Sequence, residues 1–497
     1  MRFFQNNEQL LIPEPLTDKQ DHPQLKPISH FEQLPSVFPN TTYTFSTELE
    51  QILYGKQLFL ENLPLPIEQL HQHYVNGYLS YRKGIENQMC IRCGNENPSL
   101  FAKFSCSRCK HECTYCRKCI SMGRVSECTP LISWTGPKPQ DSIPLKPLVW
   151  NGTLSVGQQK ASEALVDTVK HNDQILIWAV CGAGKTEILF EGIEAALLEN
   201  KRVCIATPRT DVVIELAPRI KSAFPQIEVI ALYGGSEDHG STAPLTIATT
   251  HQLLRFYRAF DMIIIDEVDA FPYSAEPMLQ YAVDQAKKDT SSTIYLTATP
   301  NNKWKQEIAA GKRKAVTIPA RYHRHPLPVP TFAWCGNWEK KVKKQKLPQN
   351  VLQWIKDHLK SHKQAFLFVP RIDYIKIVVS ILQKLDHRIE GVYSEDPRRK
   401  DKVSAFRRGE IPILVTTTIL ERGVTVPKID VAVLGAEDTI FTESALVQIS
   451  GRVGRSSDYP TGSIIFFHYG KTKEMIQAKK HIEGMNKEAS EKGLLEV

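Results

Sequence analysis

The chain has 497 residues, 42% of them hydrophobic and 23% charged, which suits a folded globular protein with room for about three domains of ordinary size. No apolar run reaches the ~18 to 20 residues that cross a bilayer, and Met1-Arg-Phe-Phe-Gln-Asn-Asn-Glu8 lacks the apolar core of a secretion signal, so the expectation is a cytoplasmic protein that is not itself transmembrane. A formal net charge of +8 and a pI near 8.8 allow a polyanionic partner without demanding one.

Residues 1–85 begin proline-rich, with Pro13, Pro15, Pro23, Pro27, Pro35 and Pro39 and no glycine before Gly55, and turn helix-like over 49–79. This predicts an irregular arm followed by a small helical unit. Eight of the eleven cysteines then fall between Cys90 and Cys128, inside a module spanning 86–130, while Cys181, Cys204 and Cys335 stand singly. In a cytoplasmic chain the pairs Cys90/Cys93, Cys106/Cys109 and Cys116/Cys119 point to Zn²⁺ rather than disulfides, because two thiolates at that spacing chelate one ion. Two pairings are open. A simple ribbon joins Cys90/Cys93 to Cys106/Cys109; alternatively Cys90, Cys93, Cys116 and Cys119 hold a first ion and Cys106, Cys109, Cys113 and Cys128 a second, with His111 able to replace one sulfur. Such sites leave no open coordination position, so a scaffold is expected. Between Cys90 and Cys128 the chain also carries seven Lys or Arg against three Glu, a net of +4, interleaved with Phe101, Phe104 and Tyr115. That pattern fits either a strand-tracking, base-stacking surface or the small core such a module needs.

Pro137, Pro139, Pro144 and Pro147 mark 131–150 as a linker. From 151 to 318, β-branched runs at 175–180, 203–207, 229–233, 246–249, 262–266 and 294–299 alternate with helical patterns, which predicts a parallel sheet covered by helices. At the first of these junctions stands Ala179-Val-Cys-Gly-Ala-Gly-Lys-Thr186, a glycine-rich loop between strand and helix. The backbone N–H groups around Gly182, Ala183 and Gly184 can cradle a triphosphate, Lys185 can reach its outer phosphates and the Thr186 hydroxyl can ligate Mg²⁺. Ala179 stands where the usual pattern has its first glycine, which a slightly looser turn accommodates. The buried strand 262–266 ends in Asp266-Glu267. Asp266 is expected to hold Mg²⁺ through water and Glu267 to orient or deprotonate the attacking water, so ATP is the expected nucleotide.

Residues 319–330 read as a hinge, after which the alternation restarts at 365–369, 389–393, 413–417, 431–435 and 464–468, giving a second α/β unit over 331–497. It has no phosphate loop of its own. It does carry Gln448-Ile-Ser-Gly-Arg-Val-Gly-Arg455, where Arg452 and Arg455 can reach a γ-phosphate as arginine fingers. Lys340-Lys-Val-Lys-Lys-Gln-Lys346 and Arg398-Arg-Lys400 are basic clusters, readable as backbone-contacting patches or as solvated helix faces.

In this order the motifs resemble a superfamily 2 helicase core with two RecA-like domains, over roughly 150–470. Leu154-Ser-Val-Gly-Gln158 resembles the adenine-reading element, which implies that Gln158 contacts the base. Thr207-Pro-Arg209, Gly234-Gly235 and Thr249-Thr-His-Gln252 resemble strand-contacting motifs, Thr297-Ala-Thr299 the motif linking hydrolysis to domain movement, and Phe368-Val-Pro-Arg371 and Thr416–Gly423 their counterparts in the second domain. Gln448 replaces the histidine common in RNA-remodelling DEAD-box proteins and is placed at the nucleotide, and the surroundings look closer to the DNA-directed group that includes PriA. The cysteine module ahead of the core, with Tyr115-Cys-Arg-Lys-Cys119, Met122-Gly-Arg-Val125 and Ala320-Arg-Tyr-His-Arg-His-Pro-Leu-Pro-Val-Pro330, is similar to the late competence family ComFA. That resemblance implies a DNA-stimulated ATPase with ATP, Mg²⁺ and Zn²⁺, acting on single-stranded DNA at the inner face of the membrane. Its implied partners are a ComFC-like protein and a ComEC-type membrane channel, and it leaves room for a homo-oligomer.

Overall fold

Runs of consecutive apolar residues make strands buried on both faces, as parallel sheets require, and such strands form the centre of both halves of this protein. The structure, a computed structural model, describes residues 1–18, 24–139, 143–238, 242–421 and 426–496. The chain divides into two compact units. One takes Met1–Trp150, Val166–Gln174 and Phe190–Tyr295, the other Asn151–Leu165, Ile175–Leu189 and Leu296–Val497.

In the first unit, Val229–Leu232, Leu245–Thr249, Val203–Thr207, Phe260–Ile265 and Lys287–Thr297 pair in that order, all parallel. Helix Thr210–Ala223 buries Val213, Leu216, Ala217 and Ile220, and helix Pro277–Ala286 buries Leu279, Ala282, Val283 and Ala286. Ahead of this sheet lies a region with more strand than the sequence announces. Leu11–Pro13, Arg2–Gln5 and Lys26–Pro27 form one small antiparallel sheet, and Gln57–Leu58, Pro130–Trp134 and Leu79–Lys83 a second. They enclose Phe3, Leu11, Leu49, Leu53, Leu70, Tyr74 and Ile132. The expected helical unit is present as Thr47–Leu53 and Ile67–Val75. The expected irregular arm is not, because strands of two to four residues among prolines show no readable alternation.

The second unit holds a six-stranded parallel sheet in the order Thr331–Trp334, Ile464–His468, Asp430–Leu434, Ala365–Phe368, Ile413–Thr416, Glu390–Val392. It also holds the parallel pair of Gln174–Ala179 with Ala315–Ile318. Its core gathers Trp338, Val351, Ile355, Leu367, Val378, Val415 and Leu434. Helix Lys473–Glu491 lies against helix Glu443–Ser450, tied by His481 Nδ1 to Glu443 at 3.1 Å. The segment read as a hinge is fastened at several points: Leu327 exchanges hydrogen bonds with Asn486, and Arg321 is buried. The protein thus has two RecA-like parallel-sheet halves preceded by a cysteine-rich region.

Candidate nucleotide and metal sites

In the second unit, strand Gln174–Ala179 runs into a loop whose turn needs glycine twice. Gly182 and Gly184 have φ of +84° and +73°, a region that side chains with a Cβ enter only at a cost. Helix Lys185–Ile188 starts immediately after, so the loop amides and the helix N-terminus face one place. Ala179 is the last residue of the strand, paired in register with Ile318, and its position needs no glycine.

Gln158 is buried beside this loop. Its amide nitrogen donates to the carbonyls of Ala183 at 2.9 Å and Gly184 at 3.4 Å, and its Oε1 accepts from Ser155 N at 2.8 Å. The side chain expected to read the base is here bonded to the phosphate loop itself. On the other side the Cys181 thiol donates to Gln448 Oε1 at 2.9 Å, so Gln448 also touches the loop. Gly451 permits this approach, since a Cβ there would stand 2.4 Å from Cys181 Cβ. Of the two expected arginine fingers, Arg455 is half-buried and gives Nε to Gly451 O at 2.9 Å. Arg452 is buried with its guanidinium 5.5 Å over the Phe366 ring. Thr299 of the Thr297-Ala-Thr299 motif bonds Ser444 at 2.8 Å, next to Glu443, whose carboxyl is held down to about 2 by hydrogen bonding to His481 and by Lys305. Thr416–Glu421 lies among the described residues, with Thr416 Oγ1 donating to Val392 O at 3.0 Å; Arg422 and Gly423 of the same motif lie outside them. Arg371 is exposed and paired with Asp373.

In the first unit, strand Phe260–Ile265 delivers Asp266 and Glu267 to its C-terminal end, both half-buried. Asp266 Oδ1 accepts from Glu267 N at 2.8 Å. Glu267 has φ of +55°, a strained conformation for a glutamate of the kind that functional sites retain. Among the strand-contacting motifs, Thr207, Thr249, Thr250 and Gln252 are buried, whereas Gly234, Gly235, Arg209 and His251 reach the surface; burial lowers the His251 pKa.

The cysteines of the first unit form two groups, Cys90, Cys93, Cys116, Cys119 and Cys106, Cys109, Cys113, Cys128, all buried, each with sulfurs within 4.8 Å of one another. Between them the hairpin Phe101–Ser105 with Glu112–Cys116 pairs Phe101 with Cys116 and Phe104 with Cys113, which sends Cys116 to one group and Cys113 to the other. His111 is exposed and outside both groups. The fit to Zn²⁺ is close. A tetrahedron with ~2.3 Å Zn–S bonds has edges of about 3.8 Å, and Cys90–Cys119, Cys93–Cys116 and Cys106–Cys128 are 3.9, 3.7 and 3.7 Å apart. Crowding splits the thiols within each group: hydrogen bonds from Cys119, Cys90 and Cys93 hold the Cys116 thiol far below its ordinary range and Cys113 holds Cys128 down to about 4, while hydrogen bonding to these neighbours pushes Cys90, Cys93 and Cys113 up. Arg92, one of the seven basic residues counted in the sequence, is buried and donates to Cys119 Sγ at 2.9 Å and to the carbonyls of Cys119, Met122 and Gly123 at 2.7, 2.8 and 2.6 Å. No spacing pattern marks that role. The first group rests on the segment that follows Glu267, through Lys118 Nζ to Glu276 at 2.5 Å and Tyr281 OH to Ile91 O at 3.0 Å.

Comparison with known proteins agrees with this layout. Residues 40–133 match the competence protein ComFA N-terminal domain, 152–302 the type III restriction enzyme res subunit and 343–457 the helicase conserved C-terminal domain. Competence protein ComFA of Bacillus subtilis (strain 168) is 50% identical over 451 residues, 90% of this chain and 97% of that protein. Competence protein ComFA of Streptococcus pneumoniae (strain ATCC BAA-255 / R6) is 40% identical over 378 residues, 76% of this chain and 86% of that protein. The ATP-dependent DNA helicase RecG of S. pneumoniae serotype 4 (strain ATCC BAA-334 / TIGR4) is 24% identical over 329 residues, 61% of this chain and 47% of that protein. With its cysteine region, its two helicase domains and half of 451 aligned residues shared with a relative along nearly the whole length of both, the chain belongs to the ComFA family of competence proteins and is an ATPase of the DNA-helicase kind.

Proposed function

We propose that this protein is an ATP-driven translocase on single-stranded DNA that powers uptake of transforming DNA, with the ComFC-like protein and ComEC-type channel of the family as its partners at the inner membrane face. The observation that carries the reading is the packing of the phosphate loop on the Gln448–Arg455 loop through Cys181, Gln448 and Gly451. A nucleotide in the phosphate loop would meet a second cationic loop already beside it, the arrangement that lets phosphate charge govern domain movement.

In this reading Lys185 and the amides of residues 182–186 hold the phosphates, and Gln158, bonded to the loop, sets the loop's shape beside the base it is expected to read. Glu267 takes a proton from, or orients, the attacking water, and Arg455 meets the charge that develops on the transferred phosphoryl. Arg452, with Phe366 beneath it, fixes the course of the loop. Thr186 and Asp266 offer the hydroxyl and carboxylate oxygens that suit Mg²⁺, which when bound neutralises phosphate charge. The eight clustered cysteines hold two Zn²⁺ as structural ions. Arg209, Gly234, Gly235 and His251 face the DNA backbone. No helix among the described residues is long and apolar enough to cross a membrane.

The test is Mg²⁺-ATP hydrolysis with single-stranded DNA, duplex DNA and RNA, with Lys185→Ala as blank. Stimulation by single-stranded DNA above the other two is the expected result, and stimulation mainly by RNA would refute it. Strand displacement on forked duplexes separates a motor that only pulls from a RecG-like helicase.

A further inference from the structure

The loop bearing Arg455 is gripped by a residue to which the sequence motifs assign no role. Arg321 lies in the segment between the two α/β alternations, is 1% exposed, and ranks among the largest fully buried side chains of the described residues. Its Nε donates to Cys181 O at 3.1 Å, its Nη2 to Gly451 O at 3.2 Å, and its Nη1 to Val453 O at 2.7 Å and also to Gly454 O. His323, two residues on, reaches Gly454 O at 3.0 Å. Burying a guanidinium is costly unless its N–H groups are matched, and here they are matched to two loops at once. One acceptor stands immediately before Gly182. The others follow helix Glu443–Ser450, at the end where carbonyls carry the negative pole of the helix dipole.

The Gly451 carbonyl has a second donor, Arg455 Nε at 2.9 Å. Two cations therefore share one oxygen. Burial and the nearby charge of Arg455 lower the Arg321 pKa to about 10, which leaves it charged at neutral pH. The shared acceptor fixes the root of the Arg455 guanidinium, and like-charge repulsion favours rotamers in which its far nitrogens point away from Arg321.

We propose that Arg321 is a positioning residue for ATP hydrolysis: by binding the carbonyls of Cys181, Gly451, Val453 and Gly454 it locks the phosphate loop to the arginine loop and orients Arg455 for the phosphoryl in flight. The proposal rests on the reading of Arg455 given above. It requires Arg321 to act on the transition state through Arg455 and to leave ground-state nucleotide binding largely alone.

The experiment measures kcat and KM for Mg²⁺-ATP, and affinities for ADP and for ADP with aluminium fluoride, in the full chain carrying Arg321→Met, Arg321→Lys, Arg455→Ala or Arg321→Met with Arg455→Ala. Thermal unfolding of each reports folding. Arg321→Met is expected to lower kcat and affinity for the fluoride complex about tenfold or more, as a displacement of about an ångström does, with KM and ADP affinity within about twofold. Arg321→Lys, which keeps the charge but cannot fork to four carbonyls, is expected to lose kcat in the same direction and serves alone if Arg321→Met does not fold. The double variant is expected to be no slower than Arg455→Ala, because both lesions remove one function. Losses that multiply, equal loss of ADP and fluoride-complex affinity, or an unchanged kcat in both single variants would overturn the positioning role while leaving the ATPase reading intact. A wild-type chain no more active than Lys185→Ala would overturn both.

Discussion

Adding one methyl group at Gly451 tests whether contact between the phosphate loop and the arginine loop matters for turnover. Gly451 has φ of −63° and ψ of −5°, which alanine adopts without strain, so any effect of Gly451→Ala comes from space alone. The new Cβ would stand 2.4 Å from Cys181 Cβ and 2.7 Å from its Sγ. Carbon atoms rest at about 3.5–4.0 Å, so the loops must part by about 1 Å. A displacement of that size at a site that aligns reacting groups costs about 100-fold in rate, or about 2.7 kcal/mol at about 1.36 kcal/mol per tenfold. Steady-state ATPase measurements should show a kcat loss of that order, with the protein folded. Because the clash is with the Cβ of Cys181 as well as its sulfur, Cys181→Ala should restore little and Cys181→Gly most of the lost rate. A Gly451→Ala enzyme with normal kcat, or one that Cys181→Gly does not rescue, would refute the claim that the loops work in contact.

Further expectations concern chemistry, metal and pH. Lys185→Ala should retain about 1% or less of wild-type turnover, measured as phosphate release. Metal analysis should return two Zn²⁺ per chain, and one in Cys113→Ser; a single equivalent in the wild type would favour the simple ribbon. Arg92→Met strands the buried Cys119 carbonyl at roughly 1–2 kcal/mol and releases the part-buried Met122 and Gly123 carbonyls to water, so it should speed zinc loss to a chelator and lower the unfolding temperature, whereas an unchanged release rate would show the Arg92–Cys119 contact to be idle. The Glu443 carboxyl, held down to about 2, stabilises the fold fully above the ordinary value near 4.5 and loses that contribution as pH falls from there toward 2. Allowing for solvent screening, Glu443→Gln should cost on the order of 1–2 kcal/mol at pH 7, and denaturant melts of variant and wild type should converge near pH 2.

The strands at 203–207 and 464–468 were legible to the residue because each is a short apolar run bounded by polar or turn residues. Ala315–Ile318 and Thr331–Trp334 were not, since their outer faces are partly exposed and their neighbours are prolines and lysines. The phosphate loop and Asp266-Glu267 stand out as candidates in the sequence, because phosphate and metal chemistry fixes both residue type and order. The cysteine groups were legible only as alternatives. Spacing shows which cysteines chelate in pairs, but the register of the hairpin decides which pairs meet, and register is a long-range property. The roles of Arg92 and of Arg321, although the latter sits in a quoted family segment, were beyond reach for a similar reason: an arginine becomes a buried clamp only when distant carbonyls converge on it, and no local pattern records that convergence.

The same convergence bears on whether the cysteine module is a DNA-tracking surface. The net charge of +4 between Cys90 and Cys128 and the aromatics there left that reading level with a structural one. In the folded protein Arg92 turns inward to Cys119, Lys103 pairs with Glu112, Arg108 with Glu61, Lys110 with Glu14 and Lys118 with Glu276, and Arg124 lies 4.1 Å over the Phe104 ring. Six of the seven basic side chains thus have a partner within the protein. Exposed pairs of this kind are weak individually, yet together they cancel the local field that would draw a polyanion. Phe104 packs on the second cysteine group and meets Tyr115 edge to face at 5.5 Å, so neither ring is set out as a flat platform for bases. The module is better understood as a fitted part, seated by Lys118 and Tyr281 on the segment that follows Glu267. Neutralising Lys103 and Arg108 should then leave single-stranded DNA affinity within about twofold, whereas Lys118→Ala, which breaks the seat, should change ATPase stimulation more than DNA binding. A tenfold loss of DNA affinity in Lys103→Ala with Arg108→Ala would restore the tracking surface.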